Sequence, residues 1–327
     1  MNHSPAENTI LQLRSFTERT RGNIIHGFSR LASLTDAVLT RYSANRSGSS
    51  PNPLLETQIV NTPAGPIRLF DSGRSLSTNL PCVLITPDGP NVIEHYADLI
   101  ALLSPHLRVI CFEMPGFGHS LPQSTYGHSL NEGAGVIVGV LDALGIQRAT
   151  LAFSCVNGYY ALRVSQISPD RISQLVLSQT SSLRAIHPWA RRNIPWPVLV
   201  PVAGQIGMWL FRHKVARDWY HVALPRNTSV NFYAKTALDA LDHGGCFCLA
   251  GVAQGLAGEP VDTLNAITAT CTILWGTRDH SHKHTDPASL LECASNAELI
   301  RFEDCGHFPD LEQPRRYAEI LFGKVCN

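Results

Sequence analysis

Short apolar runs alternate with helical patterns from about residue 55 onward. The runs "CVLIT", "LRVICFEM", "ATLAF" and "ISQLVLSQ" have the length of buried strands, and "ETQIV" and "IRLFD" predict a hairpin. Helices are predicted over "GVIVGVLDALG" and "GYYALRVSQ". The rhythm returns after residue 265 with strands "CTILWG" and "AELIRFE" and helices "PASLLECA" and "QPRRYAEILFGKV". This alternation predicts an α/β fold, a mostly parallel sheet with helices on both faces.

Residues 183–265 break this alternation. The segment is rich in Trp, Pro and helical patterns, and it contains no clear strand. We therefore predict a helical insertion, a lid, between two parts of one α/β core at residues 51–182 and 266–327.

Residues 1–50 are predicted to form a helical extension followed by a linker. Apolar residues recur there at steps of three and four, at Ile24, Phe28, Leu31, Leu34 and Val38. We expect this apolar face to pack on the main domain or on a second subunit, which would give a homo-oligomer. A transit peptide or a membrane-surface helix is the alternative.

Composition narrows the classes of protein. Apolar residues make up 44% of the chain, charged residues 16%, and the formal net charge is zero, so nucleic acid is not an expected partner. No apolar run reaches the roughly 18 residues of a membrane span. The nine cysteines form no CxxC pair, and no secretory signal opens the chain. We expect reduced thiols, a cytoplasmic location, and neither a cofactor nor a metal.

Three loops carry residues with catalytic chemistry, and each loop follows a predicted strand. Cys155 lies in "LAFSCVNGYYAL", Asp279 in "WGTRDH" and His307 in "EDCGHFPDLEQP". The carboxyl ends of parallel strands meet at one edge of a sheet, so these loops can converge on one site. Their order along the chain is nucleophile, acid, histidine.

From about residue 55 to 325 the chain resembles the α/β-hydrolase superfamily. The resemblance rests on "MPGFGHS", "ILWGTRD" and "CGHFPDLEQP", and on the order Ser…Asp…His. Because "NGYYAL" falls where the family has "GGxxAL", the resemblance places Cys155 at the nucleophile position and leaves Ser154 as a minor alternative. Phe153 and Asn157 then replace the two glycines of the G-x-S-x-G motif; Asn157 would be tolerated because asparagine accepts unusual backbone angles.

The resemblance also implies an oxyanion hole, which needs two backbone N–H donors. One would come from Val156. The other would come from Gly89, since "PDGPN" is similar to the "HGGPG" of proline-iminopeptidase-like members. Asp88 replaces a glycine of that motif, and its side chain would have to turn away from a developing oxyanion.

A cysteine can serve as the nucleophile of such a site. The pKa of a free thiol is about 8.5, and a neighbouring imidazolium can lower it, so we expect a thiolate paired with His307 and oriented by Asp279. Dienelactone hydrolases are cysteine-based members of the superfamily, whereas its dehalogenases and epoxide hydrolases use an aspartate there. We therefore expect an enzyme that cleaves or transfers an acyl group from an ester, lactone or thioester, the substrate being free or linked to a carrier or CoA.

Two alternatives stay open. The altered glycines favour a protein that binds a small apolar ligand, or guides a rearrangement, without a covalent intermediate; the complete triad favours an active enzyme. The alternating histidines 280, 282 and 284 could bind a metal, and a basic group at the start of the insertion could bind an anion, but solvated surfaces are the expected role of both. The basic group comprises Arg184, His187, Arg191 and Arg192.

Overall fold

The computed structural model describes residues 29–47, 55–74 and 80–326. Within them an eight-stranded sheet has the order β1-β2-β4-β3-β6-β7-β9-β10, and a separate pair joins β5 to β8. The strands are β1 Thr57–Thr62, β2 Gly65–Asp71, β3 Cys82–Thr86, β4 Arg108–Phe112, β5 Phe117–Gly118, β6 Ala149–Ser154, β7 Ile172–Ser178, β8 Cys246–Phe247, β9 Cys271–Gly276 and β10 Glu298–Phe302.

The predicted mostly parallel sheet is confirmed. The hairpin β1–β2 is antiparallel and β2 pairs antiparallel with β4, whereas all other pairs of the large sheet are parallel. The helices are α1 at residues 29–46, α2 Ala97–Leu103, α3 Leu130–Ala143, α4 Val156–Ile167, α5 Leu183–Asn193, α6 Ala203–Ala223, α7 Val230–Asp242, α8 Leu249–Ala257, α9 Pro309–Glu312 and α10 Pro314–Val325.

Two apolar layers sandwich the sheet. Successive side chains of a strand point to opposite faces, and β6 shows the division: Leu151 and Phe153 belong to the layer that includes α3 and α4, whereas Ala152 belongs to the layer that includes α2 and α10. Every residue of β6 is buried. A strand covered on both faces must be apolar throughout, which is why "LAF" shows no alternation of polar and apolar residues.

Residues 183–265 contain the helices α5 to α8, and α6 is 21 residues long. The segment also holds the two-residue strand β8, which pairs with β5 and which the sequence did not indicate. The helix predicted over "PASLLECA" is only a short 3-10 turn, Ser289–Glu292. Just after this turn, the carbonyl of Cys293 accepts a hydrogen bond from the N–H of Ile267 at 2.8 Å.

Helix α1 packs on the main domain, but not through the predicted face. Leu31, Leu34 and Val38 are 49%, 46% and 55% exposed; Ile24 and Phe28 lie outside the described residues. The buried face consists of small and polar residues, among them Asp36, and Ser43 accepts a hydrogen bond from Trp209 Nε1 at 2.8 Å. The apolar stripe therefore faces outward, and association with a second subunit through it stays a prediction. Among the described helices none is long and apolar enough to cross a membrane.

Candidate active site

Cys155 occupies a sharp turn between β6 and α4. Its backbone has φ 51° and ψ −121°, an unusual conformation for a residue with a side chain. The turn is held by a hydrogen bond from the Cys155 N–H to the carbonyl of Ser178 at 2.8 Å. Gly158 lets α4 approach β7, since a Cβ there would lie 2.1 Å from Thr180 Oγ1. The turn leaves Cys155 partly exposed at the carboxyl end of the sheet.

The two residues that replace the expected glycines fit the turn in different ways. Phe153 points into the core and packs edge-to-face on Phe112, with ring centroids 6.0 Å apart. Asn157 lies within the regular part of α4, so the predicted reason for its tolerance, an unusual backbone angle, is wrong. Instead its Nδ2 donates to the carbonyl of Pro87 at 3.0 Å and ties the turn to the loop after β3.

Asp279 and His307 form a buried pair at the ends of β9 and β10. Asp279 Oδ2 lies 2.6 Å from His307 Nδ1. The same carboxylate accepts from Gln179 Nε2 at 2.6 Å, and its other oxygen accepts from the N–H and hydroxyl of Ser281 at 2.8 and 2.6 Å. Burial acts to raise the pKa of Asp279, but the charge and hydrogen bond of His307, with Ser281, outweigh it and lower the pKa to about 2. Asp279 is therefore a fixed carboxylate that orients His307.

The other side of the His307 ring faces Cys155. The sulfur of Cys155 lies within 4.8 Å of a ring nitrogen of His307. Burial acts to lower the pKa of His307, but Asp279 above all, then Cys155 and Asp88, raise it well above its usual range. The structure thus brings together Cys155, Asp279 and His307, the three side chains that the sequence selected. Ser154 is buried, and its hydroxyl donates a hydrogen bond to Asp310 Oδ2 at 3.0 Å rather than to His307.

Asp88 does not turn away from the site. Its Oδ2 lies 3.2 Å from His307 Nε2, and the carboxyl is buried. Burial raises the pKa of Asp88, and Asp279 adds to this. The pKa of Cys155 is likewise raised, first by burial and then by Asp88, although His307 and the backbone N–H of Val156 oppose the rise. The expected depression of the thiol pKa is therefore wrong, because burial, together with the Asp88 carboxyl, outweighs the imidazolium.

The two predicted oxyanion donors lie in the loop after β3 and at the first residue of α4. Val156 is the first residue of α4, and its N–H favours the thiolate form of Cys155. Gly89 follows Asp88 in a tightly packed loop, where a Cβ would lie 2.4 Å from a ring carbon of Phe117. Only glycine fits this approach. That these two N–H groups hold an oxyanion stays a prediction.

Two aromatic rings contact His307. The Trp219 ring meets it edge-on at 5.2 Å, and His282 stacks on it at 5.4 Å. His282 in turn stacks on Trp189 at 5.1 Å. The expectation of a solvated loop is therefore wrong for His282, which is 2% exposed, but it holds for His280 and His284. Burial lowers the pKa of His282 to about 4, so the ring is neutral.

The basic group at the start of α5 is a solvated surface for its three arginines, as expected, but not for His187, which is half-buried with its Nε2 buried and without a hydrogen-bond partner among the described residues. Arg184, Arg191 and Arg192 are exposed, and Arg184 pairs with Asp262 at 2.9 Å.

Two residues that hold Asp279, Gln179 and Ser281, were not predicted from the sequence. Ser281 could have been noticed as a hydroxyl two residues after the acid. Gln179 carries no motif, since it reaches Asp279 only through its position after β7.

Comparison with known proteins gives one family and several distant relatives. A family model described as "Alpha/beta hydrolase family" matches residues 84–320. A 2-hydroxy-6-oxononadienedioate/2-hydroxy-6-oxononatrienedioate hydrolase of Paraburkholderia phymatum is 25% identical over 73% of this chain and 84% of that protein. A 2-hydroxymuconate semialdehyde hydrolase of Pseudomonas putida is 26% identical over 65% of this chain and 75% of that protein.

Solved structures agree on the fold. Epoxide hydrolase A from Mycobacterium thermoresistibile has a TM-score of 0.69 and 12% identity, covering 83% of this chain and 98% of that one. The enol-lactonase from Burkholderia xenovorans has a TM-score of 0.59 and 17% identity, covering 83% of this chain and all of that one, 100%. At such identities these two structures show a shared fold alone.

Proposed function

Since the chain belongs to the alpha/beta hydrolase family, we propose that it is a hydrolase whose nucleophile is Cys155. The observation that carries this proposal is the placement of the Cys155 sulfur, at a strained strand-to-helix turn, within 4.8 Å of a ring nitrogen of a histidine whose Nδ1 lies 2.6 Å from Asp279. A nucleophile, a base and a group that orients the base form the arrangement that covalent catalysis needs.

The proposed substrate is an activated carbonyl compound such as a thioester, a lactone or an ester. Thiolates leave more readily than alkoxides, so attack by Cys155 on an unactivated ester or amide reverts more often than it proceeds. The relative named as a 2-hydroxymuconate semialdehyde hydrolase supports hydrolysis of a carbonyl compound. The rings of Trp189 and Trp219 provide apolar surface for the acyl part.

The proposed reaction has two steps. In the first, the Cys155 thiol loses its proton toward His307, the sulfur bonds to the carbonyl carbon, and the N–H groups of Gly89 and Val156 stabilise the oxyanion. The leaving group takes the proton from His307 as it departs. In the second, His307 removes a proton from water, hydroxide attacks the acyl-enzyme, and Cys155 is released. Acyl transfer follows the same course with an alcohol or thiol in place of water.

Asp88 has a place in this scheme. Burial raises the pKa of its carboxyl, so Asp88 takes up a proton more readily than an exposed aspartate, and a neutral Asp88 does not repel the thiolate that the first step creates. The reactive state would therefore combine a protonated Asp88 with a thiolate at Cys155 and an imidazolium at His307. The thiolate of Cys155 is then not preformed, and it forms only when Asp88 carries a proton.

A second candidate function rests on the same carboxyl. His307 Nε2 is hydrogen-bonded to Asp88 at 3.2 Å, and this couple could move a proton on a bound ligand without a covalent intermediate. The sulfur of Cys155 would then serve only to line the site. The two candidates differ in whether an acyl group ever becomes attached to the protein.

Intact-protein mass spectrometry separates the two candidates. The protein is mixed with a short-chain acyl thioester, quenched in acid within seconds, and digested to locate any adduct. We expect a mass increase of one acyl group, located on Cys155 and absent from Cys155→Ala. Turnover of the thioester without an adduct, at equal rates in the wild type and Cys155→Ala, would instead support the non-covalent candidate.

A further inference from the structure

His282 supplies a buried metal-ligating atom that the proposed reaction does not use. Its Nδ1 contacts Thr285 Oγ1 at 3.1 Å, whereas its Nε2 is buried without a hydrogen-bond partner among the described residues. Such an orphaned nitrogen costs free energy unless a ligand or water satisfies it. The ring stacks between Trp189 and His307, so it is held in a fixed orientation.

His282 belongs to a cluster of sulfur and imidazole side chains that could bind a metal ion. The Cys155 sulfur and one ring nitrogen each of His282 and His307 all lie within 4.8 Å of one another. Tetrahedral zinc binds sulfur at about 2.3 Å and nitrogen at about 2.0–2.1 Å, which places its ligands about 3.3–3.6 Å apart. The observed spacing, up to 4.8 Å, therefore exceeds that of an occupied zinc site by at most about 1.5 Å, which side-chain rotation can close.

The surroundings of the two imidazoles match those of zinc ligands. A metal-bound histidine commonly donates its other N–H to a carboxylate or similar group that fixes the ring. His307 has Asp279 at 2.6 Å in that role, and His282 has Thr285. Asp88 Oδ2 lies 3.2 Å from His307 Nε2, close to the separation of two ligands on one zinc ion. Sulfur and imidazole ligands favour zinc over magnesium or calcium.

We propose that Cys155, His282 and His307 form a binding site for Zn²⁺ or another thiophilic divalent cation, with the Asp88 carboxyl next to His307 adding negative charge, and that the bound ion inhibits the hydrolase reversibly. Cys155 would bind as the thiolate and release its proton to water. The ion would occupy the sulfur and the His307 Nε2 together, so neither could take part in acyl transfer. The inhibition, though not the binding, rests on the function proposed above.

Cobalt spectroscopy tests the binding without any need for turnover. Co²⁺ titrated into the metal-free protein should give a thiolate-to-cobalt charge-transfer band in the near ultraviolet that saturates at one ion per chain and is displaced by Zn²⁺. Cys155→Ser should lose the band. His282→Phe keeps an aromatic ring between Trp189 and His307 but removes the ligand, and it should weaken Co²⁺ binding by about 100-fold or more, beyond the effect of losing an outer partner.

The neighbouring histidines provide matched controls. His280→Ala and His284→Ala change exposed residues of the same segment and should leave the affinity for Co²⁺ unchanged. A missing charge-transfer band in the wild type, or undiminished affinity in both His282→Phe and Cys155→Ser, would overturn the site. Turnover measured with and without one equivalent of Zn²⁺, then with a chelator, tests inhibition; faster or unchanged turnover with zinc bound would overturn that part alone.

Discussion

At the scale of single residues, the central feature is a carboxyl next to the candidate catalytic histidine. Asp88 stands where the family motif resembled by this loop has glycine, and it lies 3.2 Å from His307 Nε2. A glycine at position 88 would leave His307 Nε2 with the Cys155 thiol as its only neighbouring partner of the two. The carboxyl gives His307 a competing partner and, after burial, is the largest cause of the raised pKa of Cys155.

Asp88→Asn tests this effect on the thiol. The amide has the size of the carboxyl but no negative charge, so the pKa of Cys155 should fall. We expect the rate of alkylation of Cys155 by iodoacetamide, followed by peptide mass spectrometry, to reach its half-maximum at a lower pH than in the wild type. Alkylation of the exposed Cys326 in the same samples serves as the control. An unchanged or higher midpoint for Cys155 would mean that Asp88 does not control its ionisation.

At the scale of elements, close packing of α3 on α4 supports the turn that carries Cys155. Gly133 of α3 faces Tyr160 of α4, and a Cβ there would lie 2.1 Å from a carbon of the Tyr160 ring. Tyr160 is buried and its hydroxyl donates to the carbonyl of His128 at 3.1 Å. The ring therefore cannot move aside without breaking a hydrogen bond.

Two alanine substitutions in α3 should have opposite effects. Gly133→Ala should lower the free energy of unfolding by about 1–3 kcal/mol, because it overpacks the contact with Tyr160. Gly135→Ala, two residues further along the same helix, meets nothing within 4 Å and should raise it by about 0.5–1 kcal/mol through helix propensity. Urea unfolding measures both. Equal effects of the two substitutions would contradict the packing described here.

The contact between α1 and the main domain should depend on pH. Asp36 is buried on α1, where burial raises its pKa to about 7 against hydrogen bonds with Cys248 and Gln205. The unfolded chain releases this proton near pH 3.8, whereas the folded protein keeps it up to about pH 7. Unfolding therefore releases a proton between these values, and Asp36 makes the folded state less stable as the pH rises through them.

Asp36→Asn should remove that loss of stability. The variant cannot titrate at this position, so its melting temperature minus that of the wild type should increase from pH 4 to about pH 7 and then stay level. Comparing the two proteins at each pH cancels the other titrating groups. A difference that is constant or shrinks with rising pH would show that Asp36 is not buried in its neutral form.

At the scale of the whole molecule, the sequence predicted the sheet and the meeting of three distant loops, since strand patterns fix which loops share an edge. It did not predict what depends on side-chain direction. The apolar stripe of α1 marked the correct periodicity but not the buried side. His282 lies between two exposed histidines, and only its stacking on Trp189 and His307 distinguishes it. The direction of the Asp88 side chain depends on its contact with His307, which the sequence does not reveal.

The most direct test of the account is turnover of a thioester and its matched oxygen ester by the wild type, Cys155→Ala and Cys155→Ser, with Cys326→Ala as a control at an exposed cysteine. Cys155→Ala should lose about 10³-fold or more of kcat on both substrates, because no acyl-enzyme can form. Cys155→Ser should keep a small fraction at most, and Cys326→Ala should match the wild type. Undiminished turnover by Cys155→Ala would contradict covalent catalysis at this site.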